Sequence, residues 1–200
     1  MRNEEKIILA SGSPRRRELL TLIGIPYEVI VSSARETITK THPGEIVEEL
    51  SAQKAADVAS QVTEGIILGA DTIVWQDGKA LGKPHDREQA RTMLRALQGR
   101  AHEVYTGVTL IKKEKGEDGK ETCQAVQFHS MTTVHVHSMS DAEIERYMDT
   151  GDPFDKAGSY GIQGPFAAFV DGIEGDYHTV MGLPVAKVYQ ELKKLRQQAG

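Results

Sequence analysis

Lys6-Ile7-Ile8-Leu9-Ala10-Ser11-Gly12-Ser13-Pro14-Arg15-Arg16-Arg17 changes character twice along its length. The apolar run ending at Ala10 reads as a short buried strand, Ser11-Gly12-Ser13 breaks it, and Pro14 opens a helical pattern. Ser13 stands where an N-cap belongs, with proline at the first helical position. Leu19, Leu20 and Ile23 supply the apolar side of that helix, and Gly24 offers its terminator before a second strand, Tyr27 to Val31. Strand, loop, helix, strand is the opening of an α/β chain.

The rest of the chain extends this pattern. Pro43 starts a longer helix to about Gln61, Gly65 to Trp75 is a strand, and Gln76-Asp77-Gly78-Lys79 signals a hairpin turn. Asp86 to Gln98 returns to helical spacing through Ala90, Met93, Leu94 and Leu97. β-Branched residues dominate His102 to Ile111 and Thr122 to His137, and the charged segment Lys112 to Lys120 between them reads as an exposed hairpin tip. Ser140 caps a helix to Asp149, a glycine-punctuated stretch runs to Gly175, and Leu183 to Gln198 is an amphipathic closing helix. The order predicts a mixed α/β sheet with both crossover helices and antiparallel hairpins. No repeat, low-complexity tract or long linker divides it, so residues 1–200 are expected to form one domain.

Composition narrows the class. At 200 residues, 39% hydrophobic and 26% charged, the chain can bury a sizeable core without disulfides or a structural metal. Its one cysteine, Cys123, closes no intramolecular bridge and excludes a Cys-rich zinc module, which fits a reducing compartment. Met1 to Lys6 is charged and Ile7 to Ala10 is too short for a signal-peptide core or a membrane span, so a cytoplasmic chain without membrane attachment is expected. With 29 acidic residues against 24 basic ones and a net charge of -5, no global basic field draws it to nucleic acid. Anion binding must be local.

The first helix supplies a local candidate. Arg15, Arg16 and Arg17 sit in its first turn, where the helix dipole is already positive and each cation costs roughly 0.3–1 kcal/mol unless an anion answers it. Backbone N–H groups, the Ser13 hydroxyl and arginine forks together describe a polyphosphate cradle; the alternative is a solvated charged face. The segment is neither a Walker loop nor a Gly-x-Ser-x-Gly elbow. Lys54 falls on the apolar stripe of Ile46, Val47, Leu50 and Val58, so it either snorkels to the surface or reaches a buried anion. Asp71 ends the apolar run Ile66-Ile67-Leu68-Gly69-Ala70, where a bare carboxylate is too costly. It is a hydrogen-bonded structural aspartate or, beside a phosphate cradle, a Mg²⁺ ligand or water-activating group. Glu36 could bring a second carboxylate to the same strand ends, and Lys83, between Gly82 and Pro84, is an exposed loop lysine or one held toward a ligand. The stretch with Lys156, Tyr160, Gln163, Phe166 and Phe169 has glycines dense enough to approach a flat ligand, Gln163 suiting a base edge and the aromatics a ring; otherwise it is an ordinary irregular loop. His135 and His137 share one strand face, as a metal pair or as plain solvent-facing residues.

Four segments then stand together: Ser11-Gly12-Ser13-Pro14-Arg15-Arg16, Gly69-Ala70-Asp71-Thr72, Gly82-Lys83-Pro84, and Gly151-Asp152-Pro153 running into Lys156-Ala157-Gly158-Ser159-Tyr160-Gly161-Ile162-Gln163-Gly164. In this order, over almost the full chain, they resemble the Maf family of nucleotide pyrophosphatases. The resemblance implies an α/β fold related to the inosine triphosphate pyrophosphatases, with an elongated mixed sheet flanked by helices in two lobes and a central cleft. It implies Mg²⁺- or Mn²⁺-dependent cleavage of a nucleoside triphosphate to monophosphate and pyrophosphate. The positions matching Arg15, Thr72 and Gln163 accompany the branch acting on dTTP and UTP, and Asp71 matches the assigned proton acceptor. On this reading Ser13, Arg15, Arg16, Lys54 and Lys83 hold phosphates, and Glu36 and Asp71 hold the metal. The partner is a nucleoside triphosphate, with nucleic acid and membrane not expected and a homodimer left open. The family is also associated with inhibition of septum formation in bacteria, so the alternative is a nucleotide-binding regulator of division with little turnover.

Overall fold

The computed structural model describes residues 7–116 and 119–197. The charged N-terminal segment up to Lys6, Gln198 at the end of the closing helix, and Glu117 and Asp118 of the charged hairpin lie outside the described residues. The elements are β1 (Ile7–Leu9), α1 (Pro14–Leu22), β2 (Tyr27–Val29), α2 (Pro43–Ala59), β3 (Gly65–Gln76), β4 (Lys79–Leu81), α3 (Arg87–Leu97), β5 (Ala101–Lys115), β6 (Glu121–Val136), α4 (Asp141–Asp149), β7 (Val170–Glu174), α5 (Tyr177–Met181) and α6 (Val185–Gln197), of which β7 and α5 lie where the sequence reading placed no strand or helix. The strands form a mixed sheet in the order β2-β1-β3-β5-β6-β7, with β4 beside β3. β1 pairs in parallel with both β2 and β3 across helical crossovers, while β4 and β7 pair antiparallel with β3 and β6. Among the described residues no helix is long and apolar enough to cross a membrane.

The chain divides into two compact units, one made of residues up to Asp71, Thr106–His129 and residues from Gly182, the other of Thr72–Tyr105 and Ser130–Met181. In the first unit β1 and the adjoining half of β3 are fully buried, as their unbroken apolar runs demand of central parallel strands. Ile8 and Ile67 pack with Ala55, Val58 and Ala59 of α2. Two glycines set the distance of that helix. A Cβ on Gly69 would come within 2.3 Å of Ser51 O, and one on Gly107 within 2.2 Å of Val47 O. Only strands without side chains at these points let the α2 backbone lie this close.

The charged hairpin corrects the sequence reading. Instead of an exposed tip over Lys112 to Lys120, β5 continues to Lys115, and the backbone turns back between Gly116 and Lys120. Lys112 is buried at 2% exposure, donating to Leu195 O at 3.1 Å and pairing with Glu114 at 2.9 Å. Its neighbour Lys113 donates to Ala59 O and Val62 O at 2.9 and 2.7 Å. Successive strand residues point to opposite sheet faces, so the two ammonium groups meet carbonyls at the C-terminal ends of two different helices.

In the second unit the β3–β4 hairpin pairs Gln76 with Lys79, leaving Asp77 and Gly78 as a two-residue turn with φ of 50° and 75°. Positive φ at both positions is the turn whose twist suits a hairpin, and Asp-Gly is its favoured sequence. α3 is capped by the Asp86 carboxylate on Gln89 N–H, and α4 by a full capping box between Ser140 and Glu143. Arg87 and Arg91 of α3 converge on Glu145 of α4, and Arg95 pairs with Asp141.

Candidate active site

After β1 the chain enters Ser11-Gly12-Ser13 and turns into α1 at Pro14. Ser13 occupies the N-cap position with an extended backbone, but its hydroxyl makes no capping bond; its N–H donates to Ser11 Oγ at 3.3 Å. The three arginines of the first turn diverge. Arg17 is exposed and donates to Gly12 O at 3.2 Å, Arg15 is half-buried, and Arg16 turns inward. Arg16 Nε donates to Gly182 O and Nη1 to Ser11 Oγ, both at 2.9 Å. Burial lowers its pKa from the usual guanidinium value while the charge of Asp71 opposes that shift. Arg16 thus ties the loop to Gly182, in the link between α5 and α6, a contact that the helical spacing of the arginines does not reveal.

Lys54 meets both carboxylates that the sequence singled out. Its Nζ lies 2.9 Å from Glu36 Oε1 and is also hydrogen-bonded to Asp71 Oδ1. Of the two alternatives for a lysine on an apolar stripe, the inward one is realised, with the Lys54 and Asp71 side chains only 18% and 14% exposed. The carboxylate at the end of the apolar run is therefore answered by an ammonium, as its desolvation requires.

Glu36 belongs to a segment without regular structure that is fastened to α2 at intervals of one helical turn. Ser32 Oγ and Ser33 N–H both donate to Asp57 at 2.8 Å. Gln53 accepts from Thr37 N–H at 2.9 Å and donates to Thr37 O at 2.6 Å, and Glu49 accepts from Thr39 N–H at 2.8 Å. Glu49, Gln53 and Asp57 recur every fourth residue and line one side of the helix, with Lys54 beside them. Sequence reasoning missed this polar ladder, although its i, i+4, i+8 spacing was the available signal.

No group of three or more His, Cys, Asp and Glu side chains among the described residues could hold a metal ion by itself. Two carboxylates gathered on one cation are nevertheless a donor set suited to Mg²⁺, which is ordinarily held by one or two carboxylates with phosphate oxygens and water completing its shell. Asp71 and Glu36 fit that group.

Thr72, Lys83 and Gln163 belong to the second unit. Lys83 and Gln163 are exposed, and Gly82 O accepts from Gly158 N–H at 3.0 Å. Of the aromatic residues in this stretch, Tyr160 and Phe166 are buried and Phe169 is half-buried. Phe166 is fully buried, with Tyr160, Tyr147 and Phe169 at ring distances of 4.6, 5.2 and 5.8 Å. Tyr160 OH meets His102 Nε2 at 2.8 Å, and burial lowers the His102 pKa to about 4. Several glycines of the segment serve side chains of the protein itself: a Cβ on Gly158 would lie 2.8 Å from Val74, and one on Gly164 3.0 Å from the Asp152 carboxylate. His135 and His137 each face a carboxylate, Glu174 at 2.9 Å and Asp171 at 3.2 Å, and a bulge after His135 interrupts the ladder between β6 and β7.

The model of the Maf-like protein family matches residues 6–195. The chain belongs to the Maf family. A Maf relative from Bacillus cytotoxicus, named dTTP/UTP pyrophosphatase, is 50% identical over 191 residues, covering 95% of each chain. Another so named, from Agathobacter rectalis, is 47% identical over 203 residues, covering 95% of this chain and 97% of that protein. A solved HAM1 protein from Coxiella burnetii bears a distant likeness to the Maf chain, with a TM-score of 0.45 and 13% identity over 97% of this chain and 100% of that one. The segment Gly69-Ala70-Asp71-Thr72 combines the glycine that admits α2 with the carboxylate that meets Lys54.

Proposed function

We propose that this chain hydrolyses dTTP and UTP at the α–β phosphoanhydride bond, releasing the nucleoside monophosphate and pyrophosphate. The observation that carries the reading is Asp71 held with Glu36 on the Lys54 ammonium, in a chain half identical to a protein named for that activity. Water attacks the α-phosphorus. Lys54 holds Asp71 by Oδ1, and the carboxylate orients the water and accepts its proton. Charge accumulates on the phosphate oxygens and the leaving pyrophosphate, which Lys54, Arg15 and Lys83 offset, with Ser13 and Arg16 at the start of α1 completing the phosphate-binding set. Glu36 and Asp71 would hold a Mg²⁺ or Mn²⁺ ion, which when bound neutralises charge on the phosphate oxygens.

Base selection follows from hydrogen-bond complementarity. Uracil and thymine present acceptor, donor, acceptor along the pairing edge, and the Gln163 amide can meet an adjacent donor and acceptor together. Cytosine reverses both groups, with an amino donor in place of the acceptor and a bare ring nitrogen in place of the donor, so an amide held in one orientation is left mismatched. Thr72 and Arg15 accompany Gln163 as the pyrimidine-selecting set of the family resemblance.

The test is a nucleotide panel with Mg²⁺ or Mn²⁺ in which pyrophosphate is resolved from orthophosphate. UTP and dTTP should both yield pyrophosphate, with CTP and purine triphosphates slower by about tenfold or more. A diphosphate with orthophosphate as first products would overturn the reaction, and full activity in excess EDTA would remove the metal from it. Preference for GTP, ITP or a methylated guanosine triphosphate would overturn the pyrimidine assignment. Tight nucleotide binding without turnover would favour a regulatory nucleotide-binding protein.

A further inference from the structure

Ile162 and Gln163 are the central residues of a four-residue turn in the second unit, closed by Gly164 N–H donating to Gly161 O at 3.1 Å. Ile162 is buried and Gln163 exposed, so the turn is rooted in the core and projects a single amide side chain. A carboxylate holds it. Tyr147 OH donates to Asp152 Oδ2 at 2.6 Å, and the same phenol oxygen accepts from Gly161 N–H at 3.3 Å. Lys156 Nζ lies 3.0 Å from the other carboxylate oxygen of Asp152 and 2.8 Å from its backbone carbonyl.

Both glycines of the turn rest against this pair. A Cβ on Gly164 would come within 3.0 Å of the two Asp152 carboxylate oxygens, and one on Gly161 within 2.7 Å of Lys156 Cε. Tyr147 is 3% exposed, against the Phe166 ring at 5.2 Å. Burial, reinforced by Asp152, raises its phenol far above the usual range, so at neutral pH it remains a hydrogen-bond donor. An exposed loop with no task has no need of a buried phenol bridging a carboxylate to its first N–H.

We propose that Tyr147, acting through Asp152 and the Gly161 N–H, is the positioning residue for Gln163 and thereby sets discrimination between uracil-type and cytosine bases. The proposal rests on the reading of Gln163 as the base-contacting residue. Hydrogen-bond recognition is steep in position, and a side chain on a turn keeps its aim only if the turn is fixed. Tyr147→Phe removes one oxygen, leaves the Gly161 N–H without that acceptor and Asp152 without that donor, and keeps the ring in its place.

The experiment compares kcat/KM for UTP and CTP in the wild type, Tyr147→Phe, Gln163→Ala and the double variant, with thermal melting to establish folding. The UTP:CTP ratio should fall about fivefold or more in Tyr147→Phe, on the scale of a disturbed hydrogen-bond match. In the Gln163→Ala background the same substitution should change it less than about twofold, because the positioned group is gone. A folded Tyr147→Phe protein with the wild-type ratio, or one whose loss adds in full to that of Gln163→Ala, overturns the proposal. Should Tyr147→Phe not fold, Asp152→Asn decides by the same ratio, since it weakens the contacts to Tyr147 and Lys156 at constant size. A wild type that does not discriminate, or a Gln163→Ala variant with an unchanged ratio, refutes Gln163 as the base contact and the positioning with it. Loss in Gln163→Ala but not in Tyr147→Phe refutes the positioning alone.

Discussion

Lys54→Met tests the centre of the candidate site without nucleotide. Methionine keeps the stem and its packing on the α2 stripe but removes the charge that joins Glu36 and Asp71. Two oxygens paired with one ammonium nitrogen at hydrogen-bonding range lie within about 6 Å of each other. Unit charges at that separation repel by about 3 kcal/mol at an effective dielectric of 20, and by less than about 1 kcal/mol in water. Glu36 is 49% exposed, which favours the lower figure, while Asp71 at 14% loses the partner that offset its desolvation. A net loss of about 1–3 kcal/mol follows, or a fall in melting temperature of about 5 °C for a chain of this size. The assay is thermal unfolding in EDTA and across a Mn²⁺ series. Mn²⁺ should raise the melting temperature of the variant more than that of the wild type, in which the ion competes with the ammonium for the same carboxylates. Equal melting of the two proteins in EDTA, or a smaller Mn²⁺ effect in the variant, would refute the reasoning.

Asp71→Asn should lower UTP turnover at least about a hundredfold while the protein remains folded by circular dichroism, and a folded variant near the wild-type rate would make Asp71 purely structural. Acid should destabilise the protein in two ranges, measured as urea midpoint against pH. Burial holds His102 neutral, moving its pKa from 6.5 to about 4, so the unfolded chain takes up the proton first and stability declines as pH falls through that range. Hydrogen bonds from Arg91 and Arg87 hold Glu145 from 4.5 down to about 2, so its contribution is complete above 4.5 and is lost toward 2. His102→Gln should flatten the upper range and Glu145→Gln the lower; an unchanged profile in either variant contradicts the assignment. Lys112→Met should cost about 1–2 kcal/mol in urea unfolding and speed amide exchange in the last turn of α6, since Leu195 O loses its buried donor. Unaltered exchange there would show that the ammonium does not secure the helix end.

The features legible in the sequence are those whose physics is local. Ser13-Pro14 marked the start of α1, Ser140 with Glu143 the start of α4, and Asp77-Gly78 the hairpin, because a cap or a two-residue turn is decided by a few adjacent residues. Asp71 could likewise be singled out, since a carboxylate closing an apolar run needs a partner wherever the chain goes. Which partner it has was not legible. Lys54 lies seventeen residues away on another element, as the hydrogen bond records, and the choice between snorkelling and an inward ion pair depends on the α2 backbone lying against Gly69 and Gly107. Glu36 joins them only because Glu49, Gln53 and Asp57 fasten its segment to α2. The inward turn of Arg16 to Gly182 and the buried Lys112 at Leu195 O run against the exposure that charge alone suggests. In both, a carbonyl distant in sequence supplies the acceptor that makes burial tolerable. Composition and spacing specify what a side chain needs, whereas the fold determines which distant group meets that need.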